Sequence, residues 1–126
     1  MRPFSNTKLA SIDEVLTQLE PILEAFAQPR DFLLTRSHEG SLNAPRRWLQ
    51  RSTKGVFQEI GLIVAVPMPD RLALGFYPEL PCTLYASAQI NGTLLLDQVV
   101  AESVPFRDLS KTLAGHLLSA VESLES

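Results

Sequence analysis

Between Val56 and Ala101 the chain runs through four consecutive apolar stretches, the clearest of which alternates with a period of two. In the first, Val56, Gln58, Ile60, Leu62, Val64 and Val66 fall on one side and Phe57, Glu59, Gly61, Ile63 and Ala65 on the other. A pleated strand satisfies that spacing and a helix does not, and the β-branched content points the same way. Pro67-Met68-Pro69-Asp70 ends the run, because proline has no N–H to give a ladder. Leu72 to Tyr77 follows as a second strand, closed by Pro78-Glu79-Leu80-Pro81, and Cys82 to Ile90 as a third. Asn91-Gly92 then separates it from Thr93 to Ala101. These two residues tolerate the positive φ angles of a two-residue type I′ turn, which predicts a hairpin pairing Ile90 with Thr93.

The runs are apolar on both sides. Leu62, Val64 and Val66 oppose Ile63 and Ala65; Leu72, Leu74 and Phe76 oppose Ala73 and Tyr77; Leu94, Leu96 and Val100 oppose Leu95 and Val99. Gln58, Glu59, Gln89, Asp97 and Gln98 are too few to wet one face of every strand. A second cover is therefore expected, either by curling of the sheet into a partial barrel or by a second copy of the chain. The homodimer is the favoured solution, since two-fold pairs are the commonest oligomers. Ala86-Ser87-Ala88 would let another element approach closely.

The flanks read as helices. Residues 1–10 look like a loose lead-in, and Ser11-Ile12-Asp13-Glu14 has the form of a capping box. Ile12, Val15, Leu16, Leu19, Ile22, Leu23 and Phe26 share one helical face, predicting a helix from Ile12 to about Ala27. Pro21 inside it implies a kink near Thr17 or, alternatively, two shorter helices. Asp31 to Ser37 reads as a strand and His38-Glu39-Gly40 as a turn. Ser41 to Lys54 has two readings. One is a short helix capped by Asn43. The other is a strand from Arg46 to Thr53 that turns at Lys54-Gly55, and hairpin succession favours it. Leu109, Leu113, Leu117, Val121 and Leu124 recur at helical spacing, so a helix over roughly Phe106 to Leu124 closes the chain, with Pro105 suited to its first turn. The expected fold is one α+β domain: N-terminal helix, five- or six-stranded mainly antiparallel sheet, C-terminal helix, with the helices on one face.

Function is less legible. A net charge of −3 does not suit nucleic acid as a partner, and no run approaches the ~20 apolar residues that span a bilayer. One cysteine makes no internal disulfide, so the expected compartment is the cytoplasm. Arg46, Arg47, Arg51 and Lys54 put four of eleven cationic side chains into nine residues around Trp48. Such a segment would suit an anion site, and would equally suit a solvated edge strand guarding against sheet-to-sheet pairing. Trp48, Phe57, Phe76, Tyr77 and Tyr85 are candidates to line an apolar pocket between sheet and helices, and plain core is the simpler reading. His38-Glu39, Cys82 and His116 form no metal or catalytic spacing, Cys82 reads as structural, and the six glycines are dispersed. No cofactor is expected. These features favour a small cytoplasmic dimeric binding or adaptor module without catalytic activity, taking a protein or small-molecule partner. The alternative is a ligand-binding protein or enzyme with an apolar, aromatic pocket.

Overall fold

The structure, a computed structural model, describes residues 9–11, 16–36, 46–64, 71–73 and 80–125. The alternating stretches form a five-stranded sheet, antiparallel throughout: β2 (Leu33–Arg36), β3 (Arg46–Thr53), β4 (Val56–Val64), β6 (Pro81–Ile90) and β7 (Thr93–Pro105), in that spatial order. A separate two-stranded sheet pairs β1 (Leu9–Ser11) with β5 (Arg71–Ala73). The two helices are α1 (Glu20–Ala27) and α2 (Phe106–Glu125). The α+β class and the helix–sheet–helix order are as the sequence implies.

Two tight turns organise the sheet. Asn91 and Gly92 sit at φ 48° and 82°, and Ile90 pairs with Thr93 across them, as expected. Lys54 and Gly55 repeat the geometry at 53° and 82°, closing Thr53 on Val56. Arg46–Thr53 is therefore a strand, the reading that hairpin succession favours; a cap at Asn43 falls outside the described residues. Ser103 also has positive φ, at 49°, and its N–H donates to the Thr83 hydroxyl at 3.0 Å where the β6–β7 register shifts.

The N-terminal segment departs from expectation. Leu9 and Ala10 are strand where a loose lead-in was predicted, Ser11 ends β1 paired with Arg71, and the rest of the capping box, Ile12-Asp13-Glu14, lies outside the described residues. The long kinked helix gives way to the alternative of shorter pieces. Leu16 and Thr17 are helical, Gln18 and Leu19 form a turn, and α1 begins at Glu20. Pro21 then falls in the first turn of α1, where a missing N–H costs no helical bond. The segments predicted at His38-Glu39-Gly40, Ala65–Asp70 and Leu74–Glu79 lie outside the described residues.

Both helices pack on the same face of the sheet. The core joins Leu16, Leu19, Leu23 and Phe26 to Leu109, Leu113, Leu117 and Val121 across Leu49, Ile60, Leu62, Leu84, Ala86 and Ala88. The small residues Ala86 and Ala88 do admit a close neighbour, and it is α2 of the same chain. The start of α2 is held by the Phe106 N–H donating to the Leu80 carbonyl at 2.9 Å.

The turn chemistry and the helix make opposite demands on glycine. Gly92→Val should lower stability by about 1–3 kcal/mol, because a β-branched residue is strained at φ 82°. Gly115→Ala, in the interior of α2 with open space around the added methyl, should raise it by about 0.5–1 kcal/mol. Urea denaturation of both variants checks the pair of signs.

Candidate functional site

The alternation of β3 sends the basic segment to both sides of the sheet. Arg47, Leu49 and Arg51 face the helices, while Arg46, Trp48 and Gln50 face away. Lys54 lies in the β3–β4 turn and is exposed. The four cations therefore do not converge.

On the helix side, Arg47 is the largest fully buried side chain among the described residues, 1 % exposed. Its Nε donates to Glu20 Oε2 at 2.7 Å, its Nη1 to the Arg46 carbonyl at 2.9 Å and its Nη2 to the Thr17 hydroxyl at 3.1 Å. Arg36 reaches the same carboxylate from β2, through Nε to Oε2 at 2.7 Å and through Nη2 to Oε1. Glu20, in the first turn of α1, is thus clasped between two guanidiniums. The Arg36 hydrogen bonds, followed by those and the charge of Arg47, outweigh burial and hold its carboxyl below the usual carboxylate range.

Arg51 is a second tie. Its Nε donates to Gln58 Oε1 at 2.7 Å, its Nη1 to the Arg30 carbonyl at 2.9 Å, and its guanidinium lies 4.3 Å from the centre of the Phe32 ring. Gln58, buried, donates in turn to the Leu124 carbonyl near the end of α2, and Arg51 approaches Glu125 at 3.5 Å. A cation at the C-terminal end of a helix complements its dipole.

The opposite face carries no helix among the described residues. Cross-strand register sets Thr35, Trp48, Gly61, Tyr85 and Val99 in one row, and Leu33, Gln50, Glu59, Ser87 and Asp97 in the next. The Tyr85 ring lies over Gly61, where any Cβ would overlap it. Trp48 Nε1–H donates to the Tyr85 oxygen at 3.0 Å, and the Tyr85 O–H donates to Glu59 Oε1 at 2.7 Å. The Gln50 amide donates to Glu59 Oε2 at 2.8 Å, and the Thr35 hydroxyl to Gln50 Oε1 at 3.2 Å. Side chains from β2, β3, β4 and β6 are thereby locked into one network. Burial, then the Glu59 acceptor and its charge, push the Tyr85 phenol up to about 12, against smaller opposing effects of Trp48 and Arg46.

Trp48, Phe57 and Tyr85 therefore share a face, but it is the open one, not the space between sheet and helices where either the plain-core or the pocket reading would put them. Alternation decides this, since the aliphatic positions of the same strands fill the helix side. Phe76 and Tyr77 lie outside the described residues, as does His38. Cys82 is buried and its thiol is pushed up to about 12 by that burial, which leaves it without thiolate at neutral pH. His116 is half-buried on α2, at the edge of the apolar stripe. Among the described residues no three His, Cys, Asp or Glu side chains gather as a metal site, and no helix is long and apolar enough to cross a membrane.

Glu20, Arg36, Glu59 and Gln50 are the partners that sequence reasoning does not find. Glu59 has a weak signal, the one carboxylate, beside Gln58, in a mainly apolar alternating run; Glu20 and Arg36 have none, because their meeting depends on how α1 packs on the sheet. No family model, no curated protein and no solved structure matches the chain.

The clasp predicts an acid limb of stability. Glu20 has a depressed folded-state pKa, so its contribution is complete above its unfolded value of about 4.5 and is lost as pH falls through the folded one. Glu20→Gln should flatten the urea-midpoint profile below that pH. At pH 7, Glu20→Ala should cost about 3–5 kcal/mol, since it strands a buried guanidinium. Arg36→Ala, at a side chain 54 % exposed, should cost about 1 kcal/mol or less.

Tyr85 gives the opposite, alkaline limb. Its folded-state pKa is raised above 10, so its contribution is complete below about pH 10 and is lost as pH climbs towards about 12. Tyrosinate absorbance should show a late-titrating phenol in the folded protein that Tyr85→Phe removes.

Proposed function

We propose that the protein is a small cytoplasmic binding or adaptor module without catalytic activity, acting as a homodimer whose subunits meet through the open face of the sheet. One observation carries the reading: both helices lie on one face, while the other presents a pre-ordered aromatic surface of Trp48, Phe57 and Tyr85 beside Ile63 and Val99. Side chains already held by hydrogen bonds lose little conformational freedom on docking. The polar groups of that face satisfy one another, Glu59 by Tyr85 and Gln50, which lowers the cost of covering them.

The dimensions agree with a dimer. Five strands of 4 to 13 residues, averaging about nine, at about 4.8 Å spacing and about 3.3 Å rise make a face of about 700 Å². Two such faces together bury about 1,400 Å², within the range of specific interfaces.

Light scattering on a sizing column at micromolar concentration should return twice the 13.9 kDa of one chain. Ile63→Lys, at a half-buried position of the open face, should return a single chain with its far-ultraviolet circular dichroism retained. A wild-type mass near 13.9 kDa would reject the dimer.

A further inference from the structure

β7 is the longest strand of the sheet, 13 residues, and it stands last in the strand order. Among the described residues nothing pairs with its outer side. The backbone groups there form a ready template for another strand, and folded proteins usually blunt such an edge with lysine, proline or a bulge. This edge lacks the first two over most of its length. No Lys, Arg or His occurs from Pro81 to Pro105, and proline within β7 comes only at its last position. The register shifts flank the stretch Leu96–Val99, which pairs without interruption with Tyr85–Ala88.

The side chains along the edge have a distinct character. Leu94 and Leu95 are each 57 % exposed and Val99 is 54 % exposed. Asp97 and Glu102, both exposed, are the only charged groups of the β6–β7 hairpin. From these observations we infer that the outer edge of β7 is a docking rail for an extended peptide segment of alternating apolar and basic residues, which adds to the sheet as a sixth strand.

Charge decides between this occupant and a second copy. Antiparallel pairing of β7 with its own two-fold mate would bring Asp97 and Glu102 of each strand alongside those of the other. Four carboxylates would then crowd one short ladder, and like charges in cross-strand positions destabilise pairing. A basic strand places cations there instead, while backbone hydrogen bonds supply sequence-tolerant affinity and Leu94 and Val99 supply apolar contact. Face-to-face dimerisation would cover the Asp97 and Val99 side chains on the open face while leaving the outer backbone groups of β7 at the rim, so the two surfaces share those side chains but not the pairing edge. The inference rests on the binding-module reading but does not require the dimer.

The test uses two fluorescein-labelled ten-residue peptides, one alternating Val and Lys and one alternating Val and Glu, titrated by anisotropy against the full chain. The Val–Lys peptide should bind, the Val–Glu peptide at least about tenfold more weakly. Backbone amide shifts should concentrate on β7. The double variant Asp97→Lys with Glu102→Lys should reverse the preference. A Val–Lys peptide N-methylated at alternate residues should lose binding to the wild type, a result that needs no protein variant. Equal binding of the two charged peptides, no binding of either, or unchanged affinity after N-methylation would overturn the inference. Light scattering on the same samples separates the two ideas. Peptide binding at a single-chain mass removes the dimer alone, and a dimeric mass without peptide binding removes the docking rail alone.

Discussion

Glu20 lies between Arg47 and Arg36, and much of the architecture follows from that contact. Arg47 sends a full positive charge into the space between sheet and helices, where desolvation would be prohibitive without a carboxylate at 2.7 Å. The crossing of α1 over the sheet brings Glu20 to both guanidiniums. The aliphatic side chains Leu16, Leu19 and Leu23 would pack against many surfaces, being non-directional. The clasp selects among those packings, because a buried charge accepts only the geometry that pairs it. Arg51 plays the matching role at the far end of the sheet, gathering Arg30, Phe32, Gln58 and the last turn of α2. The two helices are thus pinned to one face by cations from a single strand.

Among the described residues, that arrangement leaves the second face without a helix and the outer side of β7 without a paired strand. The open face is ordered by its own hydrogen bonds: Glu59 accepts from Tyr85 and from Gln50, and Tyr85 accepts from Trp48. Gly61 is part of the same device, since its missing side chain makes room for the tyrosine ring. The tyrosine ring thus covers backbone that would otherwise lie bare. The β7 edge differs in kind, offering backbone groups and exposed leucines beside two carboxylates. The aromatic face and the acidic edge are thus chemically separate surfaces of one sheet.

The basic segment shows how spacing along a chain misleads. Arg46, Arg47, Arg51 and Lys54 are neighbours in sequence, yet a pleat sends adjacent residues to opposite faces. Arg47 and Arg51 are occupied in holding helices, Arg46 stands on the open face near Tyr85, and Lys54 sits in a turn. The aromatics obey the same rule with a different outcome. Trp48, Phe57 and Tyr85 come together, but on the side away from the helices, because the positions between them are the ones that pack against α1 and α2.

The chain by itself determined its local elements. Alternation marked β4, apolar runs bounded by turn residues marked β6 and β7, the Asn91-Gly92 turn set the register of the last hairpin, and the leucine stripe marked α2, each a property of a few adjacent residues, whereas β3 was favoured over a helix only by hairpin succession. Pro21 permitted both a kinked helix and a fresh start, and nothing local chose between them. Tertiary structure chose, by placing Glu20 where Arg47 and Arg36 required it. It alone also paired Leu9–Ser11 with Arg71–Ala73, joined Trp48 to Tyr85 across Gly61, and left β7 at the edge. Pairings between residues tens of positions apart depend on which elements become neighbours in space, and that is decided by how all the apolar surfaces and buried charges are satisfied at once.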